Sequence, residues 1–120
     1  MILRNLNHPE VKATRYRAHE GGTAHMILDS RHLRTLMFLA QASLPPGERL
    51  SGHSDPMEEI YVIQTGRGRI QVGREVQEVG PGDAIHIPIG HYHELTNSSS
   101  TEELTLLVVA GLIPVPNRQP

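Results

Sequence analysis

Glycine and proline interrupt this chain so often that little room is left for a helix. Eleven glycines and nine prolines are spread over 120 residues. Between them lie runs of Val, Ile, Leu, Thr and Tyr too short for ordinary helices, a pattern that predicts many short strands. The clearest runs are Leu33 to Leu44, Glu58 to Thr65, Gly68 to Val72, Asp83 to Ile87, His91 to Asn97 and Glu103 to Ala110. Gly66-Arg67-Gly68 and Gly73-Arg74 are expected to close tight hairpins. Gly80-Pro81-Gly82-Asp83 and Pro88-Ile89-Gly90 mark further turns, so consecutive antiparallel strands are the expected arrangement.

The length fits one domain. Residues 1–32 read as a weakly patterned strand or loop segment and residues 33–113 as the body of the domain. The tail, Pro114 to Pro120, reads as an extended end, because its prolines cannot donate to a ladder. An all-β domain of this kind must manage its strand edges as a sandwich, a jelly roll or a closed barrel. Pattern alone does not choose among them.

Histidine and carboxylate spacing says more. In His53-Ser54-Asp55-Pro56-Met57-Glu58-Glu59, residues 53 and 55 share a face if the segment is a strand. Pro56-Met57 interrupts the strand, and Glu59 opens the next run on the parity that returns its carboxylate to the same point. In His91-Tyr92-His93 the two imidazoles share a face and Tyr92 takes the other. Two imidazoles with two carboxylates form a mixed nitrogen and oxygen set suited to Fe(II), Mn(II), Ni(II) or Zn(II).

These residues resemble the two motifs of the cupin family. The first runs glycine, five residues, His-x-His, three or four residues, Glu, six residues, glycine; Gly47, His53, Asp55, Glu59 and Gly66 stand at those spacings, with Asp55 in place of the second histidine. The second runs glycine, five residues, Pro-x-Gly, two residues, His, three residues, Asn, and Gly82, Pro88, Gly90, His93 and Asn97 match every position. The resemblance implies a double-stranded β-helix, a jelly-roll barrel, with one divalent ion inside it. It implies His53, Glu59 and His93 as ligands, with Asp55 as a fourth by position. A second carboxylate would make a divalent site formally neutral and favour Mn(II) or Fe(II).

Tyr61 and His86 are the acid/base candidates beside such a site, as a barrel-wall phenol and a cavity-facing imidazole. His91 is expected at the rim, Glu58 on the solvent side, and the motif glycines, Pro88 and Asn97 as turn formers. His8, His19, His25 and His32 fall outside both motifs.

Composition removes several classes of function. No cysteine is present, so disulfides, thiolate metal sites and cysteine nucleophiles are excluded. Eleven basic residues against 13 acidic ones give a net charge of -2 with no basic footprint, so no nucleic-acid partner is expected. The chain opens without the apolar stretch of a signal peptide and holds no run long enough to span a membrane, so a soluble cytoplasmic protein is expected. The expected partners are a small-molecule substrate and a second copy, with the segment before Leu33 as the element exchanged in a homodimer. Two functions stay open. One is a metal-dependent enzyme, dioxygenase-like or a Lewis-acid isomerase, lyase or decarboxylase; the other is a metal-bound barrel that holds a small ligand without turning it over.

Overall fold

Side chains alternate between interior and exterior along most strands of this protein, and that period of two builds its core. A computed structural model describes residues 1–18, 22–54 and 56–111. Among them are a single-turn helix, α1 (Pro9–Lys12), and ten strands: β1 (Tyr16–Ala18), β2 (Gly22–Leu28), β3 (Leu36–Leu44), β4 (Arg49–Ser54), β5 (Glu58–Thr65), β6 (Gly68–Val72), β7 (Glu75–Val79), β8 (Ala84–Ile87), β9 (Tyr92–Asn97) and β10 (Leu104–Gly111). Asp55, His19 and the tail 114–120 lie outside the described residues.

The strands form two antiparallel sheets, one ordered β1-β2-β3-β10-β5-β8 and the other β4-β9-β6-β7. In β10, Leu104, Leu106, Val108 and Ala110 turn inward while Thr105, Leu107 and Val109 do not. Leu44 and Ile63 join them from the same sheet and meet Leu50, Ile70, Val79 and Leu95 from the other. This is the double-stranded β-helix that the resemblance to the cupin family implied.

The bounds of β5 and β6 fall where the sequence placed them; β3 starts later, at Leu36. The path between strands differs from the expected run of hairpins. Gly73-Arg74 does close one, with Val72 paired to Glu75. Gly66-Arg67-Gly68 does not, because β5 belongs to one sheet and β6 to the other. From β3 to β10 the chain changes sheet at each connection except β6–β7, which lets both sheets bury their apolar faces against each other. Gly66 makes its crossing with φ +84, and a β-carbon there would stand 2.5 Å from the Glu103 carbonyl oxygen. Glycine is the residue that fits.

Asn97 secures the far end of β9. Its buried amide donates to the Leu44 carbonyl at 2.9 Å and to the Glu102 carbonyl at 2.8 Å, while its oxygen accepts from the Ser99 amide at 3.0 Å. The motif asparagine thus ties three chain segments together.

Candidate metal centre

Alternation along β5 sends Glu59 and Tyr61 inward and leaves Glu58 and Ile60 outside. Glu59 is 5% exposed, which is rare for a carboxylate without a compensating cation or donor. On β9 the same alternation buries His93, with Leu95 and Asn97 following it inward. His53 pairs with His93 across the β4–β9 ladder. The two rings lie 4.2 Å apart between centroids, tilted by 59°. One ligand atom from each of His53, Glu59 and His93 lies within 4.8 Å of the others. The carboxylate comes from one sheet and both imidazoles from the other.

Hydrogen bonding sets the tautomer of His93. Its Nδ1 lies 3.0 Å from the His91 carbonyl oxygen, which can only accept, so Nδ1 carries the proton. In a neutral ring the lone pair is then on Nε2, which faces Glu59 Oε1 at 3.3 Å. Glu59 Oε1 is buried and accepts no hydrogen bond from the described residues. Two acceptors held face to face among buried side chains repel unless a cation or a proton lies between them. The backbone carbonyl behind His93 also orients the ring as outer-shell partners of metal-ligating histidines do. The residues present therefore fit a divalent ion, with a donor set of two imidazoles and one carboxylate.

Of the residues singled out in the sequence, His53, Glu59 and His93 are brought together. Tyr61 stands beside them, its ring edge-on to His93 with centroids 6.0 Å apart and planes at 80°. Asp55, expected as the fourth ligand, lies outside the described residues.

His86 is not brought to the cluster. In β8 the apolar neighbours Ile85 and Ile87 take the inward positions, which leaves His86 on the outer face, bonded through Nε2 to Glu58 Oε2. Glu58 is exposed as expected, but paired. His86 and the exposed His91 line a cleft of about 560 Å³ between β7 and β8, each the last strand of its sheet among the described residues, and Glu75 and Glu78 line it too. The cleft reaches Val72 and Ile85, the cross-strand partners of His93 and Tyr61. Pattern reading missed this cleft because it depends on which strands are sheet edges.

A further feature escaped the sequence. Leu50 pairs with Leu95 and His53 with His93, so Ser51 and Gly52 together stand opposite Glu94 alone. This β-bulge shifts parity by one, and His53 faces inward as Leu50 does. Strict alternation from the buried Leu50 would have sent His53 outward.

Known proteins share this architecture. The family model for the cupin domain matches residues 40–110. Auxin-binding protein T85 of Nicotiana tabacum is 30% identical over 80 residues, covering 58% of this chain and 43% of that protein. The chain spans about half the length of the curated relatives it matches. A crystal structure described as a predicted oxalate decarboxylase from Thermotoga maritima superimposes with a TM-score of 0.67 at 25% identity, covering 82% of this chain and 90% of that one. The polyketide cyclase RemF from Streptomyces resistomycificus superimposes with a TM-score of 0.72 at 23% identity over 92% of this chain and 80% of its own, a likeness of fold alone. No helix among the described residues is long and apolar enough to cross a membrane.

Proposed function

This chain belongs to the cupin domain family, and from that premise we propose that it is a mononuclear metal-dependent enzyme acting on a small molecule that binds the ion through oxygen. The observation that carries this reading is the buried meeting of Glu59 Oε1 with His93 Nε2, with His53 beside them. His53, Glu59 and His93 would hold the ion; Fe, Mn, Ni or Zn can fill a set of two imidazoles and one carboxylate, and Mn or Fe is favoured where Asp55 adds a second carboxylate. When bound, the ion supplies either Lewis-acid polarisation of the substrate or redox activation of dioxygen.

The protein's own groups do the rest. Glu59 offsets one positive charge, and the His91 carbonyl holds the His93 ring in the tautomer that points Nε2 inward. Ile87, buried and paired across from Glu59, and Val72, packed on the core across from His93, supply the apolar wall beside these two ligands. The Tyr61 phenol, whose ring meets His93 edge-on, would be the group to hold or pass a proton. The description of the Thermotoga maritima structure supports a small-molecule substrate.

The test has two parts. Elemental analysis of the purified protein should find about one divalent ion per chain, with Mn or Fe pointing to redox-capable chemistry. Incubation with diketones, catechols, keto acids, oxalate and sugars should then reveal turnover, followed by oxygen uptake and product analysis, that is lost in His93→Ala. The name of the auxin-binding relative supports a second reading, a metal-bound barrel that holds its ligand unchanged. Saturable ligand binding without turnover across the panel would favour that reading.

A further inference from the structure

We propose that Tyr92 and Gly52 form a clamp that holds the β4 bulge in register and thereby positions His53 for the ion. The inference rests on the metal reading above, but it concerns residues outside the ligand set.

The bulge decides which way His53 points. A strand register that slips by one residue exchanges its inner and outer faces, so a slip here would carry the imidazole out of the interior. Something must fix the two extra-spaced residues, and the geometry points to the Tyr92 ring. Tyr92 lies on the outer face of β9 directly after the His91 carbonyl segment and before His93, and it is 41% exposed. A β-carbon built on Gly52 would overlap the Tyr92 ring at Oη and Cζ and come within 2.6 Å of Cε2. The ring therefore occupies the place where any side chain at position 52 would stand. It covers the glycine backbone, and the glycine is what allows the ring to lie there.

The arrangement links the two histidine ligands mechanically. Tyr92 is the chain neighbour of His93 and pairs with Ser54, the chain neighbour of His53. One strand thus carries a ligand on its inner face and, on its outer face, the ring that sets the position of the second ligand. Tyr92 is not one of the three metal-holding residues and acts through the β4 backbone, so it is a positioning residue. Bulges next to functional sites commonly serve to aim a side chain in this way.

The test uses the full chain in Tyr92→Ala, Tyr92→Phe, Gly52→Ala and Gly52→Ala/Tyr92→Ala forms, with Co(II) as the probe ion. In Tyr92→Ala and Gly52→Ala the Co(II) affinity should fall by about tenfold or more, the scale seen when groups supporting metal ligands are removed, and the Co(II) d–d bands should change. Tyr92→Phe keeps the ring and should restore both. The double variant should bind better than Gly52→Ala, because removing the ring makes room for the new methyl. Gly66→Ala, at the β5–β6 crossing and outside the ligand set, serves as the control: it should lose stability, and its folded fraction should keep the wild-type Co(II) spectrum.

A second readout needs no metal. In the metal-free protein, NOEs between the His53 and His93 rings should be present in the wild type and lost in Tyr92→Ala. A wild-type protein that takes up no Co(II) but shows these NOEs would overturn the metal reading and leave the clamp standing on the NMR result. Wild-type Co(II) spectra and ring NOEs in Tyr92→Ala would overturn the clamp, whether or not Gly52→Ala folds.

Discussion

Glu59 Oε1 and His93 Nε2 stand 3.3 Å apart in the interior, the carboxylate on the six-stranded sheet facing the imidazole on the four-stranded one. With the proton of His93 committed to the His91 carbonyl, the pair presents a carboxylate oxygen and an imidazole lone pair to the same small volume.

Glu59→Gln replaces one acceptor by an amide that can donate to His93 Nε2. After chelation, the variant should be at least as stable as the metal-free wild type, by up to about 1 kcal/mol for the hydrogen bond gained. Its metal content should fall well below one ion per chain. Urea denaturation of chelated protein and elemental analysis measure the two quantities, and a full equivalent of metal retained by the variant would count against Glu59 as a ligand.

Removing the ion from the wild-type protein should lower its melting temperature by roughly 10 °C. That follows from a stabilisation of about 2.7 kcal/mol when free ion stands at a hundred times its dissociation constant. Calorimetry with and without a chelator checks it, and the shift should vanish in His93→Ala.

Asn97→Ala should destabilise the protein by about 2–4 kcal/mol, because the Leu44 and Glu102 carbonyls both lose the amide that serves them. Metal content of the folded fraction should stay at the wild-type level. Loss of metal without loss of stability would show that Asn97 serves the site directly.

His86→Ala should change stability by no more than about 0.5 kcal/mol, since its bond to Glu58 lies on the exposed face. Metal uptake and turnover should be unaffected. A large fall in turnover would return His86 to the catalytic group.

The contrast between His86 and Glu59 shows where the sequence was readable. Glu59 sits in a run whose alternate residues, Tyr61 and Ile63, are apolar and buried, so its inward direction follows from parity. His86 lies between two isoleucines, and the same rule would have placed it outside. The strand bounds at β5 and β6 were legible because Gly66 and Gly68 flank a short turn. Which sheet each strand joins was not, because a glycine turn that closes a hairpin and one that crosses between sheets share the same residues. His53 was chosen by its spacing to Glu59, but its direction depends on a bulge that leaves no mark in local composition beyond Gly52. The β7–β8 cleft is likewise a property of the assembled edges.

Because Glu59 belongs to one layer of the sandwich and His53 and His93 to the other, an ion bound by all three would rivet the layers together. The layers could then part only after a coordination bond had broken. Escape of the ion and breathing of the sandwich would be one motion, so the rate of metal loss would report how often the barrel opens.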